Sequence, residues 1–292
     1  MSDIEQVLDK RMLRLAFERA AATYDEAAVL QREVASRMAE RLDYVRQQPA
    51  RVLDAGCGTG VAAVELQKRY PAAGVYALDL APSMAARARG RSGPLQRLFG
   101  RGLRALCGDI ECLPLRGNAF DLVWSNLALQ WVNEPARAFA EFRRVLAPGG
   151  LLMFSTFGPD TLKELRAAYA GLDGRTHVNR FIDLHDLGDL LVQAGFADPV
   201  MDMEYLTLTY TEVRALMRDL KAIGAHNVTA ERPRGIGGRA LLAAVERNYE
   251  QFRRDGRLPA TFEVVYGHAW APQPRTTADG RRVIPIKAQG GA

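Results

Sequence analysis

The sequence predicts an α/β fold in which a seven-stranded, mostly parallel sheet carries helices on both faces. Residues 52–60 form an apolar run that ends in Asp54 and a glycine loop, the pattern of a strand that turns into a helix. A second apolar run ends at Asp79, and a third leads into residues 107–110 with Asp109 among them. Because the carboxyl ends of parallel strands meet at one edge of a sheet, we expect these three acids to surround one pocket.

The glycine loop has the spacing G-x-G-x-G at Gly56, Gly58 and Gly60, and an amphipathic run follows at residues 61–70. A dinucleotide fingerprint requires G-x-G-x-x-G, and a phosphate loop requires a terminal Gly-Lys-Ser/Thr, so neither fits. Asp54 lies two residues before the first glycine, where its carboxylate attracts a cationic amino group and repels a pyrophosphate. The loop therefore favours S-adenosylmethionine as the cofactor.

The other strand ends complete the predicted cofactor pocket. Asp79 follows the loop by about 20 residues, at the distance where an acid binds both ribose hydroxyls. We expect Asp109 to accept a hydrogen bond from the adenine amino group and the end of the fourth strand to lie beside the sulfonium. The predicted cofactor-binding residues are Tyr24, Asp54, Ala55, Gly56, Gly58, Gly60, Asp79, Leu80, Asp109, Ile110 and Asn126. The alternative is that the acids only terminate strands.

The composition is that of a globular protein. The chain has 292 residues, of which 48% are hydrophobic and 25% charged, and no apolar run is long enough to cross a bilayer. Its start lacks the basic and apolar regions of a secretory signal. Three cysteines, an odd number without zinc-site spacing, favour a reducing cytoplasm and predict no metal site. We expect a cytoplasmic monomer with no membrane partner.

Basic residues are concentrated between the second and third strands. The formal net charge is +5, and glycines alternate there with Arg87, Arg89, Arg91, Arg97, Arg101 and Arg104. Such a loop can meet an acidic protein or nucleic acid, or can simply be solvated. Aromatic side chains are nearly absent from it, which argues against stacking on single-stranded nucleic acid. We therefore expect no nucleic-acid partner, and an acidic protein partner and a solvated loop both remain open.

Helical patterns before and after the core predict two additions to the sheet. Two amphipathic runs at residues 8–24 and 27–44 predict a helical lid over the cofactor. Residues 211–257 predict a helical cap inserted before the last strand, where we expect substrate selection. The predicted division is a lid at 1–48, a core at 49–210, the cap at 211–257, the last core strand at 258–270 and a loose C-terminal tail at 271–292.

Residues 51–156 resemble the class I S-adenosylmethionine-dependent methyltransferases, which have a Rossmann-like fold. Longer motifs, spread over residues 17–270, are similar to the malonyl-acyl carrier protein O-methyltransferases of biotin synthesis. They are residues 17–25 with Gln31, 109–115, 124–131, 177–181 and 220–225. The resemblance implies methyl transfer to the free carboxylate of a malonyl group on acyl carrier protein, or on coenzyme A. The resulting methyl ester primes pimeloyl and biotin synthesis.

A free carboxylate in a closed pocket requires a cation, because an unpaired buried charge is costly. Arg180 is the first choice and Lys221 the second, both within the resemblance, and His177 is a further candidate. We expect no general base, since the malonyl carboxylate is already ionised. Two alternatives remain. Residues 157–166 and 186–191 also resemble the mitochondrial complex I assembly factor that hydroxylates an arginine, and a small-molecule O-methyltransferase would share the same core.

Overall fold

A seven-stranded sheet forms the centre of the protein, whose computed structural model describes residues 7–93, 96, 102–173, 177–224 and 239–273. The strand order is β3-β2-β1-β4-β5-β7-β6. Six strands run in one direction, and β7 runs in the opposite direction between β5 and β6. This confirms the predicted fold class. The strands are β1 (Arg51–Ala55), β2 (Gly74–Asp79), β3 (Arg104–Cys107), β4 (Phe120–Asn126), β5 (Leu146–Phe157), β6 (Ala197–Tyr210) and β7 (Leu258–Trp270).

Helices cover both faces of this sheet. Neighbouring residues of the central strands point to opposite faces, so Val52 packs into one apolar cluster and Leu53 into the other. Both clusters are fully buried, as expected for parallel strands covered on each side. In the described ranges the α-helices are α1 (Lys10–Ala20), α2 (Tyr24–Ala27), α3 (Val29–Arg41), α4 (Val61–Arg69), α5 (Pro82–Gly90), α6 (Pro135–Val145), α7 (Lys163–Tyr169), α8 (Leu184–Gln193), α9 (Val213–Ala222) and α10 (Arg239–Tyr249).

The helix α6 shows how the sequence sets these elements. Pro135 occupies its first turn, where the missing N–H costs nothing. Ala138, Phe139 and Phe142 recur at helical spacing and are fully buried against the sheet. The helix α6 ends at Val145, and β5 begins at the next residue, Leu146, with no loop between them.

The lid and the cap both form. Helices α1, α2 and α3 precede β1, and the cap helices α9 and α10 lie between β6 and β7, so these parts of the fold prediction are confirmed. Gly224, just beyond α9, lies against the ring of Phe17 in α1, which brings lid and cap together. Residues 225–238 of the cap, Arg97 and Arg101 of the basic loop and residues 274–292 of the predicted tail lie outside the described residues.

Two features of the helices were not predicted. The short helix α7 follows β5, where no helix was expected, and Tyr24 begins α2 instead of ending α1.

Ion pairs hold α3 to the outer strand β6, from Arg37 to Glu204 at 2.5 Å and from Arg41 to Asp202 at 2.7 Å. Within the described ranges, no helix combines the length and the apolar composition that crossing a bilayer requires.

Candidate active site

A cavity of about 740 Å³ lies at the carboxyl edge of the sheet, beneath the lid and the cap. One side of its wall, here called the polar half, contains eight predicted cofactor residues: Tyr24, Gly56, Gly58, Asp79, Leu80, Asp109, Ile110 and Asn126. The opposite side, here called the apolar half, contains Phe157, Leu162, Leu165, Tyr169, Phe181, Leu208, Tyr210, Met217, Leu220 and Phe262. The cavity can therefore hold a polar ligand beside an apolar one.

The glycine loop forms the floor of the polar half. Gly58 and Gly60 have φ of +54° and +83°, a backbone region that side chains disfavour. A Cβ on Gly60 would lie 2.6 Å from the Cβ of Ala88 in α5, so this glycine allows the loop to pack closely on that helix. A Cβ on Gly58 would meet the ring of Tyr24 at 3.6 Å instead. Of the predicted residues, Ala55 and Gly60 lie behind the cavity wall.

Asp54 lies in a small recess that adjoins the polar half beside Gly56 and Gly58. Its side chain is 1% exposed, and its Oδ2 has no hydrogen-bond partner among the described residues. Burial, with the nearby charge of Asp79, raises the pKa of this carboxyl to about 8. A cationic amino group would supply both the missing partner and the missing charge, so the recess fits the amino-acid end of S-adenosylmethionine.

Asp79 at the end of β2 fixes the loop as well as facing the cavity. Its Oδ2 accepts a hydrogen bond from Gly58 N at 2.9 Å, and its Oδ1 accepts one from Ala81 N at 2.8 Å. Burial raises its pKa to about 6, and these two backbone donors act in the opposite direction. Each carboxylate oxygen can accept a second hydrogen bond. Asp79 can therefore also receive the two ribose hydroxyls.

Asp109 marks the far end of the polar half. Its Oδ1 accepts from Lys10 Nζ at 3.1 Å and from Glu111 N at 3.0 Å. Lys10 also forms an ion pair with Glu111, so α1 is anchored beside the predicted adenine position. Sequence reasoning missed Lys10 because the pattern of an amphipathic helix does not show which of its charged residues faces the cavity.

Tyr24 and Asn126 both line the cavity and the adjoining recess of Asp54. Burial, together with the charge of Asp79, raises the pKa of the Tyr24 hydroxyl, so this ring stays neutral over Gly58. The amide of Asn126 is fixed, because it donates to Gln31 O at 3.0 Å and accepts from Ser155 Oγ at 2.9 Å. Asn126 is thus held at the boundary between the polar and apolar halves.

The three residues predicted to meet a substrate carboxylate differ in position. Lys221 and His177 line the cavity, whereas Arg180 is exposed and is not part of the wall. His177 Nε2 lies 2.9 Å from both carboxylate oxygens of Asp173. Its ring also stacks on Tyr169, with centroids 3.8 Å apart. His177 is therefore held rigidly in the apolar half, by partners that its motif did not reveal.

Comparison with known proteins agrees with this geometry. A family model described as a methyltransferase domain matches residues 53–154. A crystal structure of an S-adenosylmethionine-dependent methyltransferase from Thermotoga maritima shares the fold, with a TM-score of 0.52 and 19% identity over 89% of this chain and 99% of that one.

Two relatives are much more similar in sequence, and both are named malonyl-[acyl-carrier protein] O-methyltransferase. The protein from Gallionella capsiferriformans is 60% identical over 96% of this chain and 97% of its own length. The protein from Laribacter hongkongensis is 61% identical over 94% and 95%. These names do not favour the hydroxylase alternative. The chain belongs to the malonyl-[acyl-carrier protein] O-methyltransferase family.

Proposed function

We propose that this protein transfers a methyl group from S-adenosylmethionine to the free carboxylate of a malonyl group on acyl carrier protein. The relatives carry this activity in their names. The observation that carries the proposal is a cavity in which an acidic half with a glycine floor adjoins an apolar half with a lysine in its wall. The methyl ester would hide the charge of the malonyl group on the way to pimeloyl and biotin synthesis.

The reaction requires the protein mainly to hold the methyl donor and the carboxylate in position. When bound, S-adenosylmethionine supplies a methyl group on a sulfonium centre. Asp54, Asp79 and Asp109 offer acceptors for its amino group, ribose and adenine, and Tyr24 covers the loop. A carboxylate nucleophile is already ionised at neutral pH, so no general base is needed. Alignment of the two reactants and exclusion of water account for the catalysis.

Lys221 is the cation that we propose for the substrate carboxylate. Among the described residues, the lysines in the cavity wall are Lys10 and Lys221, and Lys10 is already paired with two carboxylates. No ion pair to Lys221 is found in the described part of the chain. Asp219 on the same helix also lines the cavity, but its carboxylate accepts a hydrogen bond from the hydroxyl of Tyr210, and burial together with this carboxylate raises the pKa of Tyr210 to about 12.

We propose smaller roles in substrate binding for Arg180 and His177. Arg180 is exposed and lies between Asn179 and Phe181, which both line the cavity, and we propose that its positive charge attracts the substrate carboxylate from outside the cavity wall. His177 is engaged with Asp173 and is proposed to shape the apolar half, without a role as a base.

Exposed arginines are the residues that we propose for docking of the carrier protein. Arg91, Arg143 and Arg144 are engaged in hydrogen bonds of the fold. Arg87 and Arg89 are exposed on α5, and we propose that they attract the acidic carrier protein. We further propose a cytoplasmic monomer with neither nucleic acid nor membrane as partner, and substrate selection by the cap at residues 211–257.

The test is methyl transfer from labelled S-adenosylmethionine to malonyl- and acetyl-carrier protein. We expect label on the malonyl form alone, and a loss of about tenfold or more in kcat/KM for Lys221→Ala, with partial recovery in Lys221→Arg. Arg218→Ala is the matched control, because Arg218 lies one turn earlier in α9 and pairs with Glu212 at the surface. Equal labelling of the two acyl forms would refute the proposal, and full activity of Lys221→Ala would refute the role of this lysine.

A further inference from the structure

Three side chains from separate parts of the chain meet beside the glycine loop. Thr59 belongs to the loop, Asp25 lies in the first turn of α2, and Arg91 follows the last residue of α5. Thr59 Oγ1 donates to Asp25 Oδ1 at 2.5 Å, and Arg91 Nη2 donates to Asp25 Oδ2 at the same distance. We call these three residues the lid clasp.

Arg91 also binds the glycine loop directly. Arg91 Nε donates to the backbone oxygen of Thr59 at 2.6 Å, and its Nη2 reaches Thr59 Oγ1 at 3.0 Å. The planar guanidinium thus bridges the loop and the lid with one rigid fork, which a lysine could not do. Thr59 is 2% exposed, so this side of the clasp is shielded from water.

The clasp adjoins the residue that covers the cofactor site. Tyr24 immediately precedes Asp25 and lies over Gly58, which immediately precedes Thr59. A bond between residues 25 and 59 therefore fixes the neighbours 24 and 58 against each other. On this basis, and given the cofactor site proposed above, we infer that Asp25 and Arg91 are positioning residues that hold Tyr24 closed over bound S-adenosylmethionine and so strengthen its binding.

A second ion pair in the molecule provides a matched comparison. Arg69 Nη2 lies 2.5 Å from Asp43 Oδ1, and the two side chains are 31% and 65% exposed. For Arg91 and Asp25 the distance is also 2.5 Å, with exposures of 30% and 45%. The Arg69 pair joins the residues after α3 to α4, outside the cavity wall. The variant Arg69→Ala therefore shows how much the loss of a surface ion pair of this length changes cofactor affinity by itself.

The experiment measures binding of S-adenosylmethionine by calorimetry without any acyl substrate, then KM and kcat with malonyl-carrier protein. For Arg91→Ala and Asp25→Asn we expect Kd and KM for the cofactor to rise about five- to tenfold, with kcat at saturating cofactor within about twofold of wild type. Arg91→Lys should recover only part of the affinity. The double variant should bind more weakly than either single variant but by less than the two effects combined, because both changes remove the contact between Arg91 and Asp25 while Arg91 also binds Thr59 directly.

Two results would overturn the inference. One is cofactor affinity in Arg91→Ala no weaker than in Arg69→Ala. The other is a loss of kcat that matches a loss of thermal stability, with the cofactor KM unchanged, which a purely structural role would produce. Because the binding measurement needs no acyl substrate, it stays informative even if malonyl-carrier protein is not the methyl acceptor.

Discussion

The two halves of the cavity differ in how the chain builds them. The polar half comes mainly from residues 54–126, where successive strands end at the same edge of the sheet. The apolar half combines α7, residues 177–181, β6, α9 and β7, which are far apart in sequence. The polar half therefore comes from short local motifs, whereas the apolar half exists only after the cap and the sheet have packed together.

The largest expected effect is in the polar half. In Asp79→Ala, Gly58 N and Ala81 N lose their acceptor and the ribose position loses its carboxylate. We expect cofactor affinity to fall about thirtyfold or more, since hydrogen bonds to a charged group each contribute about 1.5–3 kcal/mol. Calorimetry measures this loss, and circular dichroism checks that the variant folds. Unchanged affinity in a folded variant would contradict the cofactor site.

Asp54 makes cofactor binding depend on pH. The pKa of its carboxyl is raised to about 8, so below pH 8 the free protein carries a proton that a bound cationic amino group must displace. Affinity should therefore increase with pH, by about twentyfold between pH 6 and 7.5, with proton release on binding. The range ends there because an α-amino group itself loses its charge near pH 8.

Asp79 adds to this dependence near the lower end of the range, since its pKa is raised to about 6. Asp54→Asn separates the two groups, because it should remove the dependence above about pH 6.5 and leave that of Asp79. Titrations in two buffers of different ionisation enthalpy measure the released protons. Proton uptake on binding, or an unchanged pH profile in Asp54→Asn, would contradict the assignment.

The difference between the polar and apolar halves explains which features could be predicted from the sequence. The glycine spacing and the strand-end acids predicted the sheet and the polar half, because strand ends and loops are local features. The inward positions of Lys10 and Gln31 and the pairing of Asp173 with His177 depend on how helices pack, so periodicity could not reveal them. Arg180 was chosen over Lys221 from a motif, although only packing determines which cation lines the cavity.

A matched pair of leucines tests the apolar half. Leu165 in α7 lines the cavity, whereas Leu191 in α8 is buried in the cluster on the other sheet face. Leu165→Ala and Leu191→Ala should each destabilise the protein by about 2–5 kcal/mol. Only Leu165→Ala should raise KM for malonyl-carrier protein, by about tenfold, with cofactor affinity nearly unchanged. Denaturation and steady-state kinetics check this, and equal KM changes in both variants would contradict the division of the cavity.

The smallest expected effect concerns the carrier protein. Replacing both Arg87 and Arg89 by Ala should raise KM for malonyl-carrier protein by about two- to fourfold at low salt. The difference should vanish near 0.5 M salt, because a Debye length of only about 4–5 Å screens exposed charges. Kinetics at two ionic strengths measure this, with Lys68→Ala as a control at a surface ion pair of α4. A salt-independent difference would argue against electrostatic docking.

The most direct test of the account is the identity of the product. After incubation of the wild-type protein with S-adenosylmethionine and malonyl-carrier protein, intact mass spectrometry should show the gain of one methyl group on the carrier. Mild base should remove that methyl group, as expected for a methyl ester, and acetyl-carrier protein should gain nothing. A methyl group that survives base treatment, or one that also appears on the acetyl form, would contradict transfer to the malonyl carboxylate.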